Sequence, residues 1–169
     1  ANAGTAMGIP FSNIETITAG SGDDTITGTT RVDEREWRIT APKAMTVDSI
    51  DFTDVESLVG GTNNDSFIVE ESVDNGMAID GAEATVDDDV VDYSEWTVTA
   101  TIAYDEFSNI ERFIGGSVAD TLVAKSTGSI FIISETVNNA GTIDGVPFAG
   151  VEHLLGGIGQ DTFILDDEF

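Results

Sequence analysis

Thirty-two acidic side chains and a single histidine hold most of the chemistry open to this 169-residue chain. Four aspartates recur in similar settings. Asp24 ends Ala19-Gly20-Ser21-Gly22-Asp23-Asp24 and Asp161 ends Gly156-Gly157-Ile158-Gly159-Gln160-Asp161, while Asp65 and Asp120 follow Gly60-Gly61 and Gly115-Gly116. Carboxylate oxygens beside tight glycine turns are the hard donors that suit Ca²⁺, so all four are candidate ligands. Asn63-Asn64 and Val118-Ala119 replace glycines in two copies. The plainer role is the stronger reading, because Asp and Asn bond backbone amides in turns and Gly supplies positive φ. A second candidate cation site is the run Asp87-Asp88-Asp89, with Glu83 and Asp92 nearby; the alternative there is a solvated acidic loop.

Other chemistries find less support. Glu15, Glu56, Glu111 and Glu152 recur once per module, whereas a catalytic carboxylate pair needs two different environments, so a structural role is expected. His153 stands where Thr16, Ser57 and Arg112 stand in the other copies, which marks a surface substitution. With one histidine, no cysteine and no recognisable nucleophile motif, a hydrolytic triad is not expected, and the chain reads as a non-enzyme. The bases are Arg31, Arg35, Arg38, Lys43, Arg112 and Lys125; their one cluster, Arg31 to Lys43, is expected to neutralise local acid. Thr25-x-Thr27 and Thr97-x-Thr99-x-Thr101 suggest a threonine ladder, but Phe67, Val69, Leu122 and Ala124 interrupt it in other copies. Trp37, Tyr93, Trp96 and Tyr104 either stack on sugar rings or fill the core.

A formal charge of -26 repels nucleic acid and anionic surfaces and makes folding salt-sensitive. No apolar run approaches the roughly 20 residues of a membrane helix, so no membrane insertion is expected. Ala1-Asn2-Ala3-Gly4 is not a secretion signal, which places any such signal elsewhere on a longer parent chain.

The elements that position these residues follow from an internal repeat. Copies begin at Phe11, Phe52, Phe107 and Phe148, so the first and third, and the second and fourth, lie 96 positions apart. The chain reads as one elongated domain, 1–169, cut from a longer array. Short β-rich pieces recur between the landmarks: Trp37–Thr40, Ser66–Val69, Met77–Ile79, Val90–Tyr93, Trp96–Tyr104 and Ser129–Ile133. Two strands per coil give about 20 residues per coil and roughly nine coils, with three strands per coil the alternative. The expected fold is all-β, a parallel β-solenoid of the right-handed β-helix or β-roll type. Ser12-x-x-Glu15, Thr53-x-x-Glu56 and Ser108-x-x-Glu111 imitate helix capping boxes, but the apolar stretch that follows is too short for a stable helix.

The order Asn13-Ile14-Glu15, Trp37-Arg38-Ile39-Thr40, Phe52-Thr53-Asp54-Val55-Glu56 and Asp92-Tyr93-Ser94 resembles repeat arrays of giant bacterial surface proteins, the filamentous-haemagglutinin or haemolysin-type adhesin group. The Gly-Asp segments also resemble the nonapeptide of Ca²⁺-binding RTX toxins. Residues 82–88 look expanded against that pattern, and Trp37 has Ile133, not a tryptophan, 96 positions on. The resemblance implies an extracellular, outer-surface adhesive spacer, with other repeats of its parent chain, surface glycans or a partner cell as partners and Ca²⁺ as the one conceivable cofactor. The alternative is a carbohydrate-active β-helix module, of lyase or epimerase type or glycan-binding.

Overall fold

A computed structural model of the chain describes residues 3–7, 9–28, 35–70, 77–82 and 87–166. Among them the protein is all-β, without an α-helix; one 3-10 turn spans Tyr104–Glu106. The strands are β1 (Ala3–Ala6), β2 (Ile9–Ser12), β3 (Thr16–Thr18), β4 (Thr25–Thr27), β5 (Arg35–Ala41), β6 (Ala44–Val47), β7 (Ile50–Thr53), β8 (Ser57–Val59), β9 (Asp65–Val69) and β10 (Ala78–Asp80). They continue as β11 (Val90–Asp92), β12 (Thr101–Ala103), β13 (Phe107–Ser108), β14 (Arg112–Ile114), β15 (Thr121–Val123), β16 (Ile130–Ser134), β17 (Ala140–Ile143), β18 (Val146–Ala149), β19 (His153–Leu155) and β20 (Thr162–Asp166). Of the expected stretch Trp96–Tyr104, only Thr101–Ala103 is strand.

Eleven strands form one sheet, in the order β20-β16-β17-β18-β14-β11-β9-β5-β6-β7-β3. Two smaller sheets run β13-β10-β8-β4 and β12-β15-β19, and β1-β2 is a separate hairpin. From β7 to β12 successive strands alternate between the large sheet and a smaller one. Every pairing outside the hairpins is parallel, as in β9–β11, where Phe67 pairs with Val91, and β11–β14, where Val91 pairs with Phe113. Along these uninterrupted steps the partner lies 24 and then 22 positions on, and from Ile102 to Leu122 it lies 20 on.

Steps are longer where a three-stranded meander is inserted. From β3 the chain crosses through β4 to β5, then folds back through β6 to β7, which settles beside β3. The block β14-β18-β17-β16-β20 repeats this order. Ile17–Phe52 is answered 96 positions later by Phe113–Phe148, and Ile26–Leu58 by Leu122–Leu154. One register differs: Trp37–Phe67 is answered by Phe131–Phe163, so the counterpart of Trp37 is Phe131 rather than Ile133.

Turn chemistry explains why each strand ends where it does. The third residue of every Phe copy has a left-handed backbone: Asn13, Asp54, Asn109 and Gly150, with φ of 61, 60, 49 and 69°. These residue types tolerate that region, and a residue held there cannot begin a helix. The apparent capping boxes are therefore corners. Hairpin turns at Asp48-Ser49 and Asp144-Gly145 also have positive φ at both central residues, the primed geometry that matches strand twist.

Inward side chains from all three larger sheets share one core: Trp37, Phe67 and Phe113 from the eleven-stranded sheet, Leu58 and Ile79 from the four-stranded, Ile102 and Leu122 from the three-stranded. Each such residue contributes about 1.5–3 kcal/mol on burial. Trp37 and Phe67 stack with ring centres 6.2 Å apart. At the corners, backbones approach too closely for a side chain: a Cβ on Gly60 would lie 2.6 Å from the Gly81 carbonyl oxygen and 2.7 Å from Asp65 Oδ2. Gly60→Ala is therefore expected to cost about 3 kcal/mol in urea unfolding. Gly22→Ala, whose Cβ would meet nothing nearer than 3.9 Å, should change stability by no more than about 0.5 kcal/mol.

Candidate functional site

The repeated carboxylates meet at the corners. Asp65 takes a hydrogen bond from Trp37 Nε1 on Oδ1 at 2.9 Å and one from Gly61 N on Oδ2 at 2.6 Å. Asp120 takes Ala100 N on Oδ1 at 2.7 Å and Gly116 N on Oδ2 at 2.5 Å. Asp161 accepts from Ser129 N at 2.9 Å. Three of the four repeated glutamates then reach to the aspartate amide of the adjoining corner: Asp24 N donates to Glu56, Asp89 N to Glu111 and Asp120 N to Glu152, all at 2.8–2.9 Å. The backbone reciprocates, with Glu56 N donating to Asp24 O and Glu111 N to Asp89 O. Glu56 and Glu152 also receive the hairpin side chains Lys43 and Asn139, at 2.7 and 2.6 Å. The Asp24 amide and then Lys43 hold the Glu56 carboxyl below its ordinary pKa.

The corner at Asp89 breaks the pattern. Asp89 Oδ1 accepts from Asp65 N at 2.7 Å. The amide that would serve Oδ2, by analogy with Gly61 and Gly116, belongs to Ala82, which donates instead to Asp80 Oδ1 at 2.9 Å. Asp89 is fully buried, and among the described residues its Oδ2 has no partner; nor do Asp24 Oδ2 and Asp87 Oδ2. Burial, aggravated by the charges of Asp87, Asp65 and Glu111, pushes the Asp89 carboxyl up to about 7. Burial also raises Asp65, although Trp37 and Gly61 oppose it.

Asp65, Asp120 and Asp161 are thus each bound within a corner through their carboxylates, whereas Asp24 joins its corner through its backbone and its buried Oδ2 has no partner among the described residues. Asp87 and Asp89 come together beside Asp65, whereas Asp88 is exposed and pairs with Arg112 Nη2 at 3.1 Å. Among the described residues, no group of three or more His, Cys, Asp or Glu side chains is placed to hold a metal ion. Glu83 and Arg31 lie outside the described residues.

The other bases are engaged. Arg35 faces Asp48 at 3.6 Å, Arg38 bridges Glu36, Glu70 and Glu95, and Lys125 lies 4.0 Å over the Tyr104 ring. Trp37, Tyr93, Trp96 and Tyr104 are all buried, which removes them as sugar-stacking platforms. Trp96 Nε1 donates to Val69 O at 2.8 Å. His153 is exposed on β19. Comparison with family models, with curated proteins and with solved structures finds no match to this chain.

The two kinds of carboxyl give opposite pH slopes. Asp89 binds its proton more tightly folded than unfolded, so its contribution is fully present below about pH 4 and is lost as pH rises toward about 7. Glu56 is depressed, so its contribution is lost as pH falls below the carboxylate range. Urea unfolding across pH should therefore show a maximum near about pH 5. Asp89→Asn should flatten the alkaline limb, while Asp88→Asn, the same charge change at an exposed site, should leave it in place. An unchanged limb in the Asp89 variant would show that general charge repulsion produces it.

Proposed function

We propose that this chain is a parallel β-solenoid spacer from a large bacterial surface protein, extracellular and adhesive or structural in role rather than catalytic. The observation that carries this reading is the use made of its chemistry. Three of the repeated aspartates, Asp65, Asp120 and Asp161, and three of the glutamates, Glu56, Glu111 and Glu152, are consumed in hydrogen bonds at the corners, and the described bases are ion-paired or stacked. A lyase- or epimerase-like centre needs a base free to take a proton beside carboxylates and sugar-binding aromatics. Among the described residues, the concavity at Asn64, Asp65, Asp88, Asp92 and Arg112 has no aromatic lining, and its arginine is committed to Asp88.

Parallel strands whose partners lie 20 to 24 positions on, interrupted by meanders, support stacked coils of two strands each. Such stacking makes many short strands cooperative, because each coil covers the edge of its neighbour. A rod of this kind suits display or spacing of an adhesive surface, and its partners would be further repeats, glycans or another cell.

Two measurements test the proposal. Small-angle X-ray scattering should give an elongated particle. Thermal unfolding should be raised equally by Ca²⁺ and by NaCl at matched ionic strength, because screening of a -26 chain requires no specific ion. A compact particle would reject the rod, and a Ca²⁺-specific stabilisation reversed by EDTA would make it a metal-held one.

A further inference from the structure

The 96-residue repeat allows the same strand to be compared in covered and open settings. Strand β19 stands at the place of β8, and β20 at the place of β9. Inside the chain the far edge of β8 is covered by β10, Leu58 against Ile79, and the far edge of β9 by β11, Phe67 against Val91. Among the described residues the far edges of β19 and β20 are open, since both strands end their sheets. Burial responds accordingly. Phe67 and Val69 are 0% exposed, but their counterparts Phe163 and Leu165 are 49% and 68% exposed. Leu155 is 55% exposed, and at its neighbour Leu154 an open cavity of about 440 Å³ is lined by Ile133, Phe148, Val151 and Phe163 together with the polar Asn139 and Glu152.

We propose that the β19–β20 edge is a docking surface for two further parallel strands of the β10–β11 kind, supplied by another stretch of the same repeat. The proposal rests on the solenoid reading above and specifies its partner and register. An Ile79-type residue would sit against Leu154 and a Val91-type residue against Phe163. The same repeat disfavours a second copy of the chain as occupant. Its exposed β3 corresponds to β14, and at the one place inside the molecule where a β14-type strand follows a β9-type one, β11 separates them, pairing Val91 with both Phe67 and Phe113.

The test extends the chain rather than dissecting it. A duplicate of residues 71–103 is placed after Asp166, which occupies the position of Glu70. The expected results are slowed hydrogen exchange at the β20 amides and a melting temperature raised by roughly 5 °C. Both gains should vanish when the duplicate carries Val91→Asp. A freely exchanging extension with unchanged melting overturns the docking proposal; elongated scattering from the parent chain would still leave the solenoid reading standing. Concentration-dependent association of the parent chain, with β20 amides protected in the oligomer, would overturn it in favour of a second copy.

Discussion

A chain folded into many three- to five-residue strands turns corners constantly, and each corner removes backbone amides from water without a sheet partner to receive them. An unpaired buried amide costs on the order of 1–3 kcal/mol, so the corners, rather than the strands, set the condition for this fold. Carboxylates meet that condition. Asp65 and Asp120 each receive two N–H groups, and Glu56, Glu111 and Glu152 each receive an aspartate amide from the adjoining corner. A negative oxygen is the stronger acceptor in such bonds, which gives the repeated acidic residues a purpose within the fold. It also explains the glycines before them, because the aspartate carboxylate packs against the Cα of Gly60 or Gly156.

The same device burdens the protein with charge. Thirty-two acidic residues against six basic ones leave few cations to offset the corners, and those present are spread over the surface as Arg38–Glu95, Lys43–Glu56 and Arg112–Asp88 pairs. Where a corner has its full set of donors the charge is tolerated. At Asp89, one amide turns elsewhere, the second oxygen is left without a donor, and the group favours its protonated form. The segment joining the two meander-containing blocks is thus one in which acid and fold are directly coupled.

Much of the fold was legible in the chain, and particular residues show why. Short apolar triplets such as Ser57-Leu58-Val59 and Val90-Val91-Asp92, bounded by Gly, Asn and Asp, admit strand and little else. Other features were present in the sequence but easily passed over. Asn13, Asp54, Asn109 and Gly150 form a column of residues able to adopt positive φ, and it distinguishes corners from helix starts. Ala3-Gly4-Thr5 before Ile9-Pro10-Phe11 matches Ala140-Gly141-Thr142 before Val146-Pro147-Phe148, and both segments form hairpins.

The sequence by itself determined the all-β class, the 96-residue period and the recurrence of Asp and Glu at fixed places, because strand propensity, turn chemistry and repetition are local properties. Only the tertiary structure decided what those places do. The motif beginning at Phe52 runs from the large sheet to a small one, whereas that at Phe107 runs from a small sheet to the large one. Which amide reaches which carboxylate depends on residues 20 to 32 positions away meeting across stacked corners. The displacement of the Trp37 counterpart to Phe131, and the missing donor at Asp89, likewise arise from long-range register, which spacing along one chain does not encode.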